Sequence, residues 1–457
     1  MIRISRHYIS NIFCLILAGD LTMFLASIAL TYWWVDGVGV GALWPKVTML
    51  AAMALLFLYL ADLYHFQLQF DKRELVLRVG LVAVVAAGLT AAIGYAIPSL
   101  QFSCMAFISL TVSSTLGLMA FRLLSCVLIS HQVLQQRVLV LGTDLADVII
   151  GYEGHHDTIP FRIVGFLDDD PVAQDHLPPG YDLCGKVNEL LGIVEQLRPD
   201  IILVALTNMR GGLPVHDILE CRFRGIQVEE WPSFAEKLTD KIVINSLRPG
   251  WLIFSDGPVK TLLTETIRRA LDVGLSLLGL ILSAPVMAAA ALSIKVVSPG
   301  PVLFRQARVG KDGKVFMLYK FRSMSVDAEQ LTGPVWASED DPRITRVGRL
   351  LRKIRLDETP QMFNVLRGDM SFIGPRPERP VFVNQLKEQI PFYILRFAVK
   401  PGITGWAQVK YPYGSTVEDA LEKLQYDLYY IKNMSIFLDL LILLKSVQVV
   451  LFARGAR

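Results

Sequence analysis

Apolar residues crowd the first third of the chain into four runs, at about 12–35, 47–61, 79–98 and 102–121, separated by short polar connections. Each is near the roughly 20 residues that cross a bilayer as a helix, although the second is clean over only part of its length. The first run is too long for a cleavable signal peptide and lacks a small-residue cleavage pattern, so it reads as a resident helix. Basic residues set the orientation. Arg3 and Arg6 precede the first run, Lys72, Arg73 and Arg78 lie between the second and third, and Arg122 and Arg137 follow the fourth. Both ends of this four-helix unit, residues 1–130, are therefore expected in the cytoplasm. Asp20, inside the first run, is expected to meet a neighbouring helix in a structural polar contact.

Beyond residue 137 the period changes. Arg137-Val-Leu-Val-Leu-Gly142 is a buried-strand pattern closed by glycine, and a helical pattern follows through Ala146 and Ile150. Further strands at 163–167, 200–205 and 225–229 alternate with helices, which predicts a parallel sheet in a Rossmann-like cytoplasmic domain over 137–255. Its nucleotide signal is degenerate: Thr143, Asp144 and Leu145 follow Gly142 where a pyrophosphate needs further glycines for close approach. A fifth apolar stretch, 273–293, carries no charge and follows Arg268 and Arg269. Pro285 at its centre lacks a backbone donor and clashes with the preceding turn. A helix that crossed here would export the basic residues beyond it, against the charge rule. The pattern predicts a re-entrant helix over about 268–296 that breaks at Ser283-Ala284-Pro285 and returns to the cytoplasmic side, carrying a monotopic domain within 262–457.

Composition sharpens this picture. Over 457 residues, 53% hydrophobic and 19% charged residues exclude a disordered chain and argue against a purely soluble enzyme. The net charge of +3 hides an asymmetry: residues 295–457 hold 25 Lys/Arg and 16 Asp/Glu, a net of +9, which leaves −6 for the first 294. A basic, membrane-seated half calls for anionic partners such as lipid head groups, phosphates or nucleotides. Nucleic acid is not expected, since no reader motif accompanies the basic residues. Five cysteines without a CxxC pair indicate a reduced protein with neither disulfides nor zinc. All seven histidines precede residue 217, so chemistry in the basic half runs on carboxylates, Arg and Lys.

Candidates for that chemistry lie close together. Ser298-Pro-Gly-Pro-Val-Leu-Phe-Arg-Gln and Leu318-Tyr-Lys-Phe-Arg-Ser-Met324 read as a hairpin turning at Lys311-Asp312-Gly313, with Arg305, Arg308, Lys320 and Arg322 as phosphate-binding cations. Arg346, Arg349, Arg352 and Lys353 then recur at helical steps. Asp357 and Glu358 follow directly, and Pro360 suits the first turn of a helix, which puts Asp357 at or near its N-cap. Two readings of this pair stand level on spacing alone. Either the carboxylates cap the helix and complement its dipole, or one attacks phosphorus while the other holds Mg²⁺. Arg376 sits in the Gly/Pro-punctuated segment that ends Gly374-Pro-Arg-Pro377.

Residues 266–457 closely resemble the bacterial transferases that move a sugar-1-phosphate from a nucleotide sugar to polyprenyl phosphate. The strings that carry the resemblance are Ser298-Pro-Gly-Pro-Val-Leu-Phe-Arg-Gln, Lys320-Phe-Arg-Ser-Met, Asp357-Glu358, Gly368-Asp-Met-Ser, Gly374-Pro-Arg-Pro377 and Lys400-Pro-Gly-Ile-Thr-Gly-Trp-Ala-Gln408. The whole chain is similar to the large, multi-pass form of the family, and its tail to the exopolysaccharide-system branch of undecaprenyl-phosphate glucose/galactose phosphotransferases. The resemblance implies Asp357 as nucleophile beside Glu358, Mg²⁺ with Glu358 as its ligand, and substrate contacts from Arg308, Lys320, Arg322, Arg352, Pro375, Arg376 and Gln408. It implies a UDP-sugar, undecaprenyl phosphate and membrane lipid as partners, in the bacterial inner membrane with the catalytic domain on the cytoplasmic face. It leaves open a homodimer and contacts with other polysaccharide-assembly proteins. Two departures are small: Ala284 stands where serine often precedes the proline, and Thr359 where leucine usually follows Asp-Glu. Two rival classes are a membrane-tethered nucleotide-sugar dehydratase or epimerase and a non-catalytic, nucleotide-sensing regulator of polysaccharide synthesis. The first would need intact glycines after residue 137 and a Tyr-x-x-x-Lys pair.

Overall fold

In the computed structural model the described residues are 2–4, 7–9, 11–34, 40–61, 63–64, 72–130, 135–153, 161–170, 173–206, 213–244, 261–325, 343–412, 414 and 416–451. The chain divides into two compact units, the first over Tyr8–Thr239 and the second over Asp240–Arg457.

The first unit opens with four helices, α1 (Asn11–Trp34), α2 (Val40–Leu60), α3 (Lys72–Ala96) and α4 (Cys104–Ser130). Ile16, Phe24, Leu58, Val79, Val82, Ala86 and Leu118 fill the space between them, while Leu15, Leu25, Leu77, Leu81 and Leu116 point outward. Apolar residues all round, not on one stripe, are what a lipid-facing helix requires. Asp20 meets its expected helical partner: Arg122 Nη2 lies 2.6 Å from Asp20 Oδ2, both side chains are buried, and the guanidinium sits 4.7 Å above the Tyr64 ring.

Five strands follow in one parallel sheet, β1 (Gln136–Leu141), β2 (Phe161–Leu167), β3 (Leu183–Gly185), β4 (Ile201–Val204) and β5 (Gln227–Glu230), interleaved with helices α5 (Ala146–Tyr152), α6 (Leu190–Leu197) and α7 (Val215–Phe223) and followed by α8 (Trp231–Thr239). Their order is β3-β2-β1-β4-β5, with Val138 opposite both Ile163 and Ile201. Four of the strands fall where alternation placed them. The three-residue β3 is too short to leave a pattern. The unit ends earlier than the expected boundary at 255, because Ile242 and Ile244 pack in the core of the second unit and the Ile242 amide donates to the Gln425 carbonyl.

The second unit begins its described part with α9 (Leu262–Val297), 36 residues of helix with Pro285 inside. This corrects the expected break at Ser283-Ala284-Pro285. A proline removes one backbone donor and opens one turn, which a long helix in an apolar setting absorbs. The Ser283 hydroxyl also donates to the Gly279 carbonyl at 2.6 Å within that turn. The hairpin is as expected: β6 (Leu303–Val309) pairs antiparallel with β7 (Val315–Phe321), and Asp312 and Gly313 take positive φ at its turn. Then come α10 (Arg346–Lys353), α11 (Gln361–Arg367), β8 (Ser371–Ile373), α12 (Pro380–Gln389), β9 (Gly402–Thr404), α13 (Trp406–Lys410), α14 (Val417–Asn433) and α15 (Ile436–Leu451). Trp406, Tyr393, Leu424, Tyr429, Leu438 and Ile442 form the main core, and β8 pairs parallel with β9. Three polar clamps tie α9 to it. Arg268 reaches Asp439 at 2.9 Å, Arg269 donates to the Val365 and Leu366 carbonyls, and Asp272 accepts from Ser371 and the Phe372 amide. Among the described residues four helices, Cys14–Trp34, Arg73–Ala96, Cys104–Ser125 and Leu262–Val297, are long and apolar enough to cross a membrane, and Trp44–Leu60 is a shorter apolar helix.

Candidate active site

The acidic pair is positioned by a turn between two short helices. Thr345 Oγ1 accepts from the Gly348 amide and starts α10, and Arg355, at φ 59°, ends it in the left-handed region that a side chain rarely occupies. That reversal winds Leu356–Glu358 into a single 3₁₀ turn. Asp357 is therefore not the N-cap of the following helix; Pro360 holds that place, with Asp357 three residues upstream. Both carboxylates are buried, at 7% and 8% exposure, so neither is the solvated helix cap that spacing alone allowed.

Their surroundings differ sharply. Glu358 Oε1 accepts from Lys320 Nζ at 3.0 Å and from Arg376 Nη2 at 2.6 Å, and Arg355 stands 3.9 Å from Oε2. Among the described residues no hydrogen bond or ion pair reaches the Asp357 carboxylate. Burial pushes the Asp357 carboxyl above its usual range and the adjacent Glu358 charge adds to this, against the pull of Lys320, Arg352 and Arg376. Desolvation outweighs the neighbouring cations. Glu358 is equally buried, yet Arg376 and Lys320 hold it well below its usual range. Burial drives the Lys320 ammonium downward, and Glu358 opposes that shift.

Lys320 and Arg376 each depend on a braced backbone. Asn364, fully buried on α11, accepts from the Tyr319 amide at 3.1 Å and donates to the Met317 carbonyl at 2.7 Å, which stitches α11 to β7 beside Lys320. Sequence reasoning passed over Asn364; its signal was an amide amid the apolar Met-Phe-Asn-Val-Leu run. The segment bearing Arg376 is held on every carbonyl from Pro375 to Glu378. Those four oxygens accept, in order, from the Gly402 amide, Arg396, Arg308 and the Val309 amide. Gly374 opens that segment because a Cβ there would collide with the Lys400 carbonyl.

The structure brings Asp357, Glu358, Lys320, Arg352 and Arg376 together. The other anticipated substrate contacts are engaged by the protein itself. Arg322 donates to the Ser298 and Pro299 carbonyls at 2.7 and 3.0 Å and is buried; Arg308 binds Pro377, Glu378 and Gln306. Direct phosphate contact had been expected of both; in the structure they make these contacts within the chain. Pro375 contributes its carbonyl to the Gly402 amide, and Gln408 Nε2 donates to the Ile403 carbonyl while its Oε1 is buried without a partner. Arg346, Arg349 and Lys353 are exposed on α10.

With this geometry in view, comparison with known proteins is decisive. Residues 263–453 match the bacterial sugar transferase model, and residues 59–224 the model described as a CoA-binding domain. The putative undecaprenyl-phosphate N-acetylgalactosaminyl 1-phosphate transferase of Bacillus subtilis is 50% identical over 30% of this chain and 76% of its own. The exopolysaccharide production protein PSS of Rhizobium leguminosarum bv. phaseoli is 42% identical over 40% of this chain and 93% of its own. The chain belongs to the bacterial sugar transferase family. The UDP-N-acetylgalactosamine-undecaprenyl-phosphate N-acetylgalactosaminephosphotransferase of Aeromonas hydrophila is 43% identical over 52% of this chain and 56% of its own. The chain spans about half the length of the longer relatives it matches.

The description of the 59–224 model implies coenzyme A, and the described residues of the sheet do not fit a nucleotide at its first strand–helix turn. Gly142 takes φ +100°, and a Cβ there would lie 3.0 Å from both Leu206 Cδ2 and the Leu206 amide, so this one glycine is accounted for by its own backbone and packing. Asp168, placed where a ribose-binding acid would stand, accepts from the Thr143 amide and hydroxyl, both at 2.7 Å. The absent second glycine and the occupied acid likewise disfavour a dehydratase or epimerase built on this sheet.

Proposed function

We propose that this transferase moves a sugar-1-phosphate from a UDP-sugar to undecaprenyl phosphate, releasing UMP, through a phosphosugar held on Asp357, and so initiates an exopolysaccharide repeat unit. The observation that carries this reading is the split between adjacent buried carboxylates: Glu358 is clamped by Lys320 and Arg376, while Asp357 carries no partner and has a raised pKa. An unpartnered, more basic carboxylate is the better nucleophile. An Asp357 oxygen forms a bond to the phosphorus that bears the sugar. The phosphorus–oxygen bond to the uridine-side phosphate breaks, and UMP leaves with the electron pair. A phosphate oxygen of undecaprenyl phosphate then attacks the same phosphorus and displaces the Asp357 carboxylate, giving a diphosphate-linked lipid. Lys320, Arg352 and Arg376 offset charge on the phosphoryl oxygens, as such transfers require.

Mg²⁺ fits this donor set in one way. Among the described residues no group of three or more acidic, His or Cys side chains gathers, but Mg²⁺ takes one or two carboxylates with substrate phosphates, which Glu358 and Asp357 can provide. Bound there, it would neutralise phosphate charge. We also place both ends of α9 on the cytoplasmic side. Support comes from its packing: Arg269 and Asp272 near one end, and Ala290 and Ile294 near the other, all bind the second unit, whereas Ile281, Leu282 and Val286 between them are exposed.

The test uses purified full-length protein and UDP-glucose, UDP-galactose or UDP-N-acetylgalactosamine labelled in the sugar, without lipid. Label should become covalently attached, with release of UMP, for the sugar that is the substrate, and Asp357→Asn should take up none. Adding undecaprenyl phosphate should chase the label into lipid. Turnover of Asp357→Asn near the wild-type rate would overturn the covalent mechanism, and no UMP release with any of the three would overturn the function.

A further inference from the structure

Arg376 makes the shorter of the two contacts to Glu358, yet its own side chain is 28% exposed. Something else must fix its direction. On the backbone side, the Arg376 carbonyl accepts from Arg396 Nη2 at 3.0 Å. Arg396 lies in a 3₁₀ segment (Tyr393–Ala398) and is buried with the same fork on two further partners, Tyr393 Oη at 2.6 Å and Asp427 Oδ2 at 2.9 Å. Asp427 is 2% exposed on α14, within the main core of the unit. Burying a full ion pair of this kind is costly unless each hydrogen-bonding position is used, and here one guanidinium satisfies three acceptors at once.

We infer that Arg396, seated on Asp427 and Tyr393, is a positioning residue that sets Arg376 against Glu358. It touches no part of the Asp357–Glu358 pair itself. Its fork converts a point deep in the core into a fixed position for one carbonyl, two bonds from the Arg376 Cβ. The neighbouring carbonyls of Pro375, Pro377 and Glu378 are held by other donors, and Arg396 supplies the bond to the Arg376 carbonyl itself. Lysine at 396 would keep the charge facing Asp427, but a single ammonium on a shorter stem lacks the planar fork that spans Tyr393, Asp427 and the carbonyl together. The inference rests on the proposed transfer reaction, because its readout is UMP release.

The experiment compares full-length wild type, Arg396→Lys, Arg376→Lys and the double variant, each first checked by size-exclusion chromatography and melting temperature in detergent. Arg396→Lys should release UMP about tenfold more slowly, and Arg376→Lys about tenfold more slowly as well. The double variant should be slower by about tenfold in all and not about a hundredfold, since Arg396 acts only through Arg376. A merely structural role would lower rates independently of residue 376 and would give the multiplied loss. Wild-type speed in Arg396→Lys, or a multiplied loss in the double variant, overturns the inference. Should Arg396→Lys fail to fold, Tyr393→Phe removes one of the three acceptors; a loss of about threefold that vanishes in the Arg376→Lys background supports the inference, and an additive loss overturns it. Wild-type protein that releases no UMP overturns the transfer reading itself, and the inference with it.

Discussion

Replacing Glu358 by glutamine tests how the site is held, apart from what it catalyses. The substitution keeps size and one acceptor oxygen but removes the anion that Lys320 and Arg376 share. Both cations then face a neutral amide in a buried site. Breaking a buried pair by deleting one partner costs about 3–5 kcal/mol, chiefly because the remaining charge stays desolvated. For a unit of this size each kcal/mol moves the melting temperature by about 2–4 °C, so a fall of about 6–20 °C is expected. The pH dependence adds a second check. Glu358 is held below its usual range, so its contribution is present above about 4.5 and fades as pH falls through its depressed folded value. At the alkaline end, Lys320 is already driven below its ordinary 10.5, and loss of Glu358 lowers it further. A lysine depressed in the fold binds fewer protons there than when unfolded, so stability rises with pH through that window. The gap between wild type and Glu358→Gln should therefore be largest near neutrality and narrow on both sides. Thermal denaturation of the purified protein from pH 4 to pH 10 follows it. A variant that melts within 2 °C of wild type at neutral pH, or a gap that widens above pH 8, would refute the clamp.

Two further expectations concern the membrane. Arg122→Met strips Asp20 of its buried ionic partner, so it should melt earlier and express less well, while Asp20→Asn with Arg122→Met should recover part of the loss; equal melting of the single and double variants would show that the pair contributes nothing. A cysteine placed at exposed Lys387 in a cysteine-free chain should react with an impermeant maleimide only after the cytoplasmic face is opened, and labelling of intact spheroplasts from outside would refute the proposal that both ends of α9 lie on the cytoplasmic side.

What the sequence disclosed is what local pattern encodes. The strands at Gln136–Leu141 and Ile201–Val204 announce themselves because both faces of a central parallel strand are buried, leaving an apolar run. The Asp357-Glu358 step after a basic helix, and Arg376 within a Gly/Pro segment, were legible for the same reason: short spacing brings them together whatever the rest of the chain does. Partner choice is not local. Arg308 and Arg322 look identical to Lys320 as cations on a hairpin, yet register places Arg322 beside Ser298 and Pro299 and only Lys320 beside Glu358. Arg396 and Asp427 stand 31 residues apart with no motif joining them, so the brace behind Arg376 emerges only when α14 packs. Pro285 misled in the opposite sense, because its cost of one hydrogen bond is a local fact whose outcome depends on the length of helix around it.

The direction of the Asp357 shift had the same origin. The cations around Asp357 alone would pull its carboxyl acidic; burial reverses the sign, and burial is a property of the fold. The consequence is chemical. Asp357 and Glu358 place two negative charges among three positive ones, on Lys320, Arg352 and Arg376, with Arg355 3.9 Å from Glu358 as a fourth. Two of those cations are engaged by Glu358, which stabilises its charge and leaves Asp357 the more basic member of the pair. Cation charge thus exceeds carboxylate charge around a buried pair, and in the proposed reaction the diphosphate of the nucleotide sugar would neutralise that excess. The same adjacency that raises Asp357 against its neighbour also sets the two carboxylates apart, and in the proposed transfer the one free of hydrogen bonds is the one that turns toward phosphorus.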